Sequence, residues 1–440
     1  MSRSARCSSL GAFAALVAVL ATPALAQAAK PTLWVAPGAA NAGPGTSCAE
    51  PGFSTIQGAI GAAGRGATVQ VCPGTYSEQL SITKPLRLQA ADGQYTSTIE
   101  LPATPANSTT ECDAAAGRTG GGTPQDEIAI CTPGVVSLTG LTVVAKWPAG
   151  TCNDNLYGVL VAGGATLRAK QVTVLGAGAS PINGCQGGVG IEVGLSSTTP
   201  VEVGHATLTD DDVSEYQKNG ITVDGAGSSA KIIRATVVGD PRTTQIAQNG
   251  IQISDGAEGT IKSSSIEDNQ CRAAVCGSDA WSETQSTGVL FYGAASGSSL
   301  TGSHLFENDI NVYFESQSPT PPSSPEVTIA KDKMGADYEA VVLGQGDASI
   351  ENDLMAGSSL IGILVLQYEG QAYAPSSTAT SDQLRDQSEA AVKVDSDNAP
   401  GDHPGNITLT KTYLGGYPPA EVLDESTTFT VTQVEPVTEA

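Results

Sequence analysis

Short acidic clusters recur along the chain, and each follows an apolar stretch. They are Asp210-Asp211-Asp212, Asp240, Glu267-Asp268-Asn269, Glu307-Asn308-Asp309 and Glu351-Asn352-Asp353. If these turns stack on one edge of a repeating structure, their carboxylates raise one another's pKa unless a cation neutralises them. Calcium is the natural partner for oxygen-rich, thiol-free clusters. The pattern therefore predicts a calcium site, whose candidate ligands are Asp210, Asp211, Asp240, Glu267 and Asp268.

The same clusters have a purely structural interpretation, which we favour. Asp and Asn are ordinary residues of tight turns, because their short side chains hydrogen-bond to the nearby backbone. On this interpretation Asn269, Asn308 and Asn352 stack into a side-chain ladder inside the turns. The two interpretations differ in whether a metal ion is bound.

Basic residues near the clusters suggest a specific reaction. A calcium ion that neutralises a uronate carboxylate would let a base remove the proton α to it, which is the chemistry of a polysaccharide lyase. The candidate bases are Arg242, Lys218 and Arg272.

Four aromatic residues lie around the long segment 270–286. An aromatic face beside polar groups suits a sugar ring, so we treat Tyr216, Trp281, Tyr292 and Tyr313 as candidate substrate-binding residues. Scattered core or surface positions explain each of them equally well.

These residues must be positioned by a repeat of about 30 residues. A Gly, an apolar residue, any residue and a second apolar residue recur at Gly158, Gly190, Gly220, Gly250, Gly288 and Gly362, with looser copies at Ala340 and Ala391. One gap of 52 residues is explained by two coils if Ile310-Asn311-Val312 is another copy. Repeats of this length are typical of solenoids.

Each repeat contains two further short alternating stretches, such as Ala230–Ile233 and Thr236–Val238. Alternation directs one side chain inward and the next outward, so three strands per coil close a tube. A composition with 51 Gly and only 5% aromatic residues also favours many short strands and tight turns. The predicted fold is an all-β, right-handed parallel β-helix.

Residues 53–63 carry apolar side chains at helical spacing and predict a helix that caps the first coil. The cap is followed by a strand, by Pro73-Gly74-Thr75-Tyr76-Ser77-Glu78, by a second strand and by Lys84-Pro85-Leu86. This opening resembles that of pectin-lyase-like β-helix proteins, including pectin methylesterases and NosD-like proteins, and the resemblance extends over about residues 53–415. It implies the fold and leaves the chemistry open, and Tyr76 and Glu78 are expected to be structural.

The catalytic motifs of families on this scaffold are absent. The sequence lacks the Asn-Thr-Asp, Gly-Asp-Asp, Gly-His-Gly and Arg-Ile-Lys motifs of polygalacturonase-like hydrolases, and the later Asp and Arg-Pro-Trp segments of pectin methylesterases. Alginate-epimerase-like enzymes carry Asp-Pro-His, where this chain has Asp240-Pro241-Arg242. No known catalytic set can be transferred to this chain.

The two ends of the chain predict export and a single domain. Arg3 and Arg6, an apolar run and Ala24-Leu25-Ala26 form a secretory signal peptide at residues 1–26. One β-helix domain is expected over 27–415, followed by an acidic tail at 416–440. The location is secreted or periplasmic.

Eight cysteines remain after residue 26, an even number that suggests disulfides in an exported protein. Neighbouring positions suggest the pairs Cys48–Cys72, Cys112–Cys131, Cys152–Cys185 and Cys271–Cys276, with other connectivities left open.

A formal net charge of −24 makes nucleic acid and anionic membranes poor partners. Two functions remain. The first is a secreted protein that binds, and as an enzyme cleaves, an extracellular polysaccharide. The second is a non-catalytic surface or matrix protein.

Overall fold

The computed structural model describes residues 31–104, 112, 125–148, 156–240, 245–271, 286–318, 320, 325–357, 360–367, 375–396, 405–415 and 420–437. The predicted signal peptide at residues 1–26 lies outside this part of the chain, and so do six residues named in the sequence analysis. Those six residues are Arg242, Arg272, Trp281, Cys152, Cys276 and Pro241.

The chain winds into a right-handed parallel β-helix of three sheets, which confirms the predicted fold. Nearly all neighbouring strands pair in parallel, and each coil contributes one strand to sheet 1, then one to sheet 2, then one to sheet 3. The predicted Gly-containing repeats are the strands of sheet 3.

Sheet 1 consists of the strands Thr32–Val35, Thr68–Val71, Arg87–Ala90, Gly134–Thr139, Ala165–Lys170, Gly204–Thr209, Ser229–Ile233, Glu258–Lys262, Ser298–Thr301, Val327–Ala330, Ala348–Glu351, Ser376–Thr380, Asn406–Thr410 and Thr430–Val434. Sheet 2 consists of Gly74–Ser77, Ser97–Glu100, Thr142–Pro148, Thr173–Ser180, Asp212–Ser214, Thr236–Val238, Ser265–Glu267, Leu354–Ala356, Gln383–Arg385 and Tyr413–Gly415. Sheet 3 consists of Leu80–Ile82, Gln125–Cys131, Leu156–Ala162, Val189–Val193, Asn219–Asp224, Asn249–Ser254, Thr287–Tyr292, Ile361–Gln367, Ala390–Ser396 and Ala420–Asp424. Two long strands, His304–Glu315 and Lys333–Leu343, run through the corner and belong to both sheet 2 and sheet 3.

Apolar columns fill the tube. In sheet 1, for example, Ile232 pairs with Leu208 below and Ile261 above, and all three are fully buried. Each such side chain stabilises the fold by about 1.5–3 kcal/mol when fully buried. The coils therefore stabilise one another through a continuous core.

The repeated glycine of sheet 3 has a steric cause. A Cβ added to Gly158 would lie 2.6 Å from the carbonyl oxygen of Gly190, and one added to Gly190 would lie 2.5 Å from that of Gly220. A side chain at this position would push successive coils apart. The glycines therefore permit the close stacking on which the ladder depends.

The predicted cap is a helix, Ile56–Ala62, with Thr55 as its N-cap residue. The carboxylate of Glu78 accepts hydrogen bonds from the backbone N–H groups of Ile56 (2.7 Å) and Gln57 (2.9 Å). The Tyr76 hydroxyl is buried and donates to the Cys72 carbonyl at 2.8 Å. Both residues of the opening motif are therefore structural, as expected.

Strands outside the region between the cap and residue 415 extend the β-helix at both ends. The strand Thr32–Val35 adds to sheet 1 before the cap, and Ala420–Asp424 and Thr430–Val434 continue sheets 3 and 1. The prediction of a separate tail at 416–440 was wrong, because acidic and Thr residues hid the alternation around Phe429 and Val431, which pack against the core.

Two predicted disulfides are present, Cys48–Cys72 with Cα atoms 5.6 Å apart and Cys112–Cys131 with Cα atoms 5.1 Å apart. Cys185 and Cys271 are also disulfide-bonded. Their predicted partners lie outside the described residues. Within the described residues, no helix is long and apolar enough to cross a membrane.

A column of buried polar side chains occupies the turn from sheet 1 to sheet 2. Its aspartates accept hydrogen bonds from backbone N–H groups of the coil below: Asp211 from Val172 (2.8 Å), Asp332 from Ser303 (2.5 Å) and Asp353 from Asp332 (2.6 Å). Ser264 and Ser303 do the same in other coils, accepting from Ala235 and Ser264. The column joins each coil to the next at this turn.

Burial raises the pKa of each aspartic acid in the column, to about 7 for Asp211, Asp332 and Asp382 and to about 8 for Asp353. In the unfolded chain an Asp titrates near pH ~3.9. A pKa that is higher in the folded state stabilises the fold below the unfolded pKa, and that stabilisation is lost as pH rises through the folded pKa.

The corner from sheet 2 to sheet 3 contains a second buried column. The Tyr216 hydroxyl donates to Asn269 Oδ1 at 2.5 Å, and Asn269 Nδ2 donates to Asn308 Oδ1 at 2.8 Å. All three residues are fully buried. The predicted asparagine ladder is thus confirmed for Asn269 and Asn308, whereas Asn352 lies on the turn from sheet 1 to sheet 2.

We expect the free energy of unfolding to fall as pH rises from about 4 to about 8, because over this range the aspartic acids of the column keep their protons in the folded protein and ionise in the unfolded chain. Replacing Asp332 and Asp353 together with Ser, the residue that other coils use there, should weaken this dependence. Denaturant unfolding at several pH values measures it, with the exposed Asp92→Ser as control. An unchanged pH dependence in the double variant would contradict the assigned titration.

Tyr216→Phe should lower the free energy of unfolding by about 1–3 kcal/mol, because Asn269 Oδ1 loses its buried donor. Tyr292→Phe, at an exposed tyrosine, should change it by less than ~0.5 kcal/mol. Denaturant titration compares the two. Equal stability of both variants would show that the Tyr216 hydroxyl does not hold the corner.

Candidate functional site

The acidic clusters do not all lie on one edge of the β-helix. Asp210 and Asp211 lie on the turn from sheet 1 to sheet 2, whereas Asp240, Glu267 and Asp268 lie at the corner from sheet 2 to sheet 3. The predicted single column of five ligands was therefore wrong. The error arose because some of the acidic residues follow a sheet 1 strand and others follow a sheet 2 strand. The sequence pattern did not distinguish the two kinds of strand.

On the first edge the carboxylates already have partners. Arg234 makes two hydrogen bonds to Asp210, at 2.6 and 3.0 Å, which lower the pKa of Asp210. Asp211 is buried and accepts from the backbone of Val172 and Thr209. Both carboxylates are therefore engaged in hydrogen bonds within the protein.

On the second edge Asp268 lies close to Glu307, Glu267 and Asp240. Partial burial and then the hydrogen bond with Glu307 raise the pKa of Asp268 to about 6. Across the described part of the chain, no group of three or more His, Cys, Asp or Glu residues is arranged to hold a metal ion.

The other candidate catalytic and substrate-binding residues in the described part of the chain do not come together in one site. Tyr216 is fully buried, which does not fit the sugar-contacting role considered for it. Lys218 lies just before a sheet 3 strand, donates to the Ala247 carbonyl at 2.9 Å, and has a pKa lowered by burial. Tyr313 is partly buried and donates to Glu315, whereas Tyr292 is 39% exposed.

The outer face of sheet 3 carries the most distinctive arrangement of side chains. One apolar cluster, which includes Tyr157, Leu160 and Val189, covers its N-terminal part. A second, which includes Ile310 and Val342, covers its C-terminal part. The strands between these two clusters present polar side chains, and we call this region the polar centre.

Hydrogen bonds connect the polar centre across two coils. Asn249 Nδ2 donates to Asn219 Oδ1 at 3.1 Å, and Asn219 Nδ2 donates to Gln252 Oε1 at 3.0 Å. Gln252 Nε2 donates to Ser254 Oγ at 3.1 Å, and Ser254 Oγ donates to Asp224 Oδ1 at 2.9 Å. The network ends on the carboxylate of Asp224 and fixes the position of that group.

Three carboxyl groups lie at this end of the polar centre. Glu192 pairs with Thr222 in the ladder and is only 4% exposed. Burial and the neighbouring Asp224 raise the pKa of Glu192 well above its usual range. Burial and Asp224 also raise the pKa of Asp255, whose Oδ2 accepts a hydrogen bond from Ser196 Oγ at 3.1 Å.

The arrangement places a buried carboxyl group with a raised pKa beside a second carboxyl group. In a dry site such a pair supports acid–base chemistry, because one group can donate a proton while the other accepts one. Sequence reasoning missed these residues. The available signal was the outward position of the Gly-containing repeat, where Glu192, Thr222 and Gln252 interrupt the apolar residues of other coils.

Comparison with known proteins places this geometry on a known scaffold. No protein-family model matches the sequence, and no curated protein matches it. Among solved structures, the Agl-KA catalytic domain is similar with a TM-score of 0.56 and 12% identity over 83% of this chain, which spans 62% of the Agl-KA chain. XylC in complex with xylose has a TM-score of 0.53 and 11% identity, covering 91% of this chain and 86% of XylC.

At this level of identity the likeness concerns the fold and carries over no catalytic residue. Together with the three parallel sheets and the N-terminal cap, it shows that the chain has the parallel β-helix fold.

Proposed function

We propose that the protein is a carbohydrate-active enzyme that cleaves a glycosidic bond at the polar centre of sheet 3. The observation that carries this proposal is the buried acid Glu192 beside Asp224 on the outer face. The likeness to a catalytic domain and to a xylose-bound protein supports carbohydrate as the substrate class.

The two carboxyl groups take different roles. Burial, and then the charge of Asp224, raise the pKa of Glu192 well above its usual range, and we assign it the role of general acid on the leaving oxygen. Asp224 accepts hydrogen bonds from Ser254 Oγ and from the Ser196 backbone N–H at 2.7 Å, so it is held as the base. Asp255 lies close to Asp224, and burial and the charge of Asp224 raise the pKa of Asp255.

Asp224 lies two residues beyond Thr222, the ladder partner of Glu192 on the adjacent strand. Inverting hydrolases hold their two carboxyl groups about 6.5–9.5 Å apart and retaining ones about 5–5.5 Å. The anomeric configuration of the first product therefore distinguishes the two courses.

A neutral glycan suits the polar centre better than a polyuronate. The charge of Asp224 would repel a uronate, whereas the amide groups of Asn219, Asn249 and Gln252 fit sugar hydroxyls. A uronate lyase with Lys218 as its base is the second candidate, because burial lowers the pKa of Lys218 toward the range of a working base.

A non-catalytic role on a surface or in a matrix is the alternative of a different class, in which the polar centre only holds the glycan. For either role we propose an extracellular or periplasmic location. The disulfides support it, since they persist in oxidising compartments.

Glu192→Gln and Asp224→Asn should each reduce glycan hydrolysis by at least about 100-fold, the usual range for losing an acid–base group. Reducing-end release from a panel of neutral glucans and xylans measures this, and NMR of the first product gives its anomeric configuration. Glu258→Gln, at an exposed carboxyl on sheet 1, is the matched control and should retain activity.

The same panel should include polyuronates with and without calcium, read by ultraviolet absorbance of unsaturated products. Unsaturated products that disappear in Lys218→Met would replace hydrolysis by the lyase reaction. Glycan binding without any product would favour the non-catalytic role.

Tyr292→Ala should raise KM roughly two- to tenfold with little change in kcat, because an aromatic contact contributes about 0.5–1.5 kcal/mol. Tyr292 pairs with Ser254 in the ladder and lies two coils from Asp224. Tyr95→Ala removes an exposed tyrosine from the turn between sheets 1 and 2 and should leave KM unchanged. Equal KM values in both variants would remove Tyr292 from the substrate path.

A further inference from the structure

The outer face of sheet 2 changes its charge along the β-helix. In the N-terminal half, its outward positions include Glu100, Asp212 and Glu267, and Lys146 there is paired with Glu215 at 2.7 Å. From the coil of His304 onward, the outward positions carry no acidic residue. These positions, which we call the basic face, are His304, Phe306, Lys333, Gly335, Leu354, Ala356, Gln383, Arg385, Tyr413 and Gly415.

Two cations of the basic face are available to a ligand. Lys333 and Arg385 are both exposed, and within the described residues neither forms a salt bridge. Arg234 and Lys393, in contrast, are matched by carboxylates of the protein. An exposed cation that no carboxylate of the chain neutralises can pair with an anionic group from outside.

Charges of both signs border the basic face. Lys331 precedes it on the turn from sheet 1, and Glu307 and Asp386 follow it at the corner to sheet 3. Glu307 shares a hydrogen bond with Asp268 of the preceding coil. The positive charge is therefore confined to a strip along sheet 2, with acidic residues on one side of it.

Aromatic contacts orient one group at each end of this strip. The Phe306 ring is 38% exposed, and it meets the His304 ring edge-on with centroids 6.1 Å apart. At the other end, the Arg385 guanidinium lies 5.1 Å from the centre of the Tyr413 ring. Side chains that are held in place before binding lose less entropy when a ligand orders them.

The middle of the strip is low. Phe306 and Arg385 are three coils apart, about 14 Å at ~4.8 Å per coil. Gly335 and Ala356 occupy the same column between them and project at most a methyl group, and a Cβ added to Gly335 would lie 3.2 Å from Phe306 Cδ1. Lys333 lies beside this low strip, in the coil of Gly335. A chain of rings can therefore lie along the tube axis.

A carboxylated polysaccharide has the complementary chemistry. A sugar ring can rest on the exposed face of Phe306, and the planar guanidinium of Arg385 can pair with a carboxylate through two hydrogen bonds. The formal net charge of −24 does not prevent this, because charges more than a Debye length of ~8 Å away are largely screened at physiological ionic strength. Duplex nucleic acid is less suitable, since its charge is far denser than two cations can match.

We propose that the basic face of sheet 2 binds a carboxylated polysaccharide along the axis of the β-helix, with a sugar ring on Phe306 and carboxylates at Lys333 and Arg385. The polar centre lies on sheet 3, a different side of the tube, so the basic face anchors the protein and performs no reaction. The proposal does not rest on the proposed function.

Electrophoresis in gels that contain a polysaccharide measures this binding as retardation of the protein. Polymannuronate, polygalacturonate and polyglucuronate carry the same charged group on different sugars, and each is compared with its methyl ester, which keeps the ring and loses the charge. At least one carboxylated polymer should bind, its ester should bind about tenfold more weakly or less, and added salt should weaken the binding.

Replacing Lys333 and Arg385 together with Gln should weaken binding of that polymer about tenfold or more, because two charged contacts are lost. The matched control is Arg168→Gln with Lys262→Gln, which removes the same two residue types from exposed outward positions of sheet 1. The control should bind as the unaltered protein does. Circular dichroism first checks that every variant is folded.

Phe306→Ala should weaken binding about two- to tenfold, the usual contribution of an aromatic contact. Tyr95→Ala, at an exposed tyrosine outside the basic face, should not change it. Unchanged binding in Phe306→Ala would overturn the ring contact.

The proposal is overturned if no carboxylated polymer retards the protein, if the methyl ester binds equally well, or if the double variant binds like its control. Equal binding of dextran sulfate and of single-stranded DNA would overturn the assignment to a carboxylated polysaccharide, because it would show a surface that holds any polyanion. Glu192→Gln should leave the retardation unchanged, so this proposal and the proposed hydrolysis fail separately.

Discussion

The parallel stacking of successive coils is the interaction on which the rest of the structure depends. Hydrogen-bonded strands about 4.8 Å apart turn residues that are some 30 positions apart in sequence into direct neighbours. Glu192 and Thr222 meet in this way, as do Asn219 and Asn249. Any feature repeated once per coil becomes a column, whether it is a glycine, an aspartate or an outward-facing carboxyl.

Columns inside the tube and columns at its turns obey different constraints. Inside, the apolar side chains need only similar volumes, and their burial makes each coil dependent on the next. At the turns, buried polar groups must find partners, and the aspartates and serines between sheets 1 and 2 do so by accepting backbone N–H groups of the neighbouring coil. The same residue types that suggested a metal site are therefore explained by backbone hydrogen bonding.

The sequence predicted the fold because the coil repeats, and repetition can be read without knowing which residues touch. The Asn269–Asn308 ladder was predicted for the same reason. Tyr76 and Glu78 were predicted to be structural from the resemblance of the opening motif. The sequence pattern failed on the column of five acidic ligands, because assigning a cluster to an edge requires knowing which strand of the coil precedes it, and both kinds of strand are short and apolar. Burial of Tyr216 was equally unreadable, since it depends on the space beside Gly220, where an added Cβ would lie 2.9 Å from Tyr216 Cε1.

The candidate site escaped sequence analysis because a single outward glutamate looks like any solvated residue. Its chemical meaning comes from burial on the outside of the tube, where a carboxyl is removed from water without being enclosed by the core. An inward-facing carboxyl at the same strand would disrupt the apolar column, and an exposed one would remain an ordinary anion. The outer face of sheet 3, bounded by apolar clusters at both ends, buries Glu192 in surroundings that raise its pKa and still directs it away from the core. The acidity of a carboxyl group on this scaffold therefore depends on where the outer surface of the tube excludes water. In the described part of the chain, the outer face of sheet 3 is such a surface.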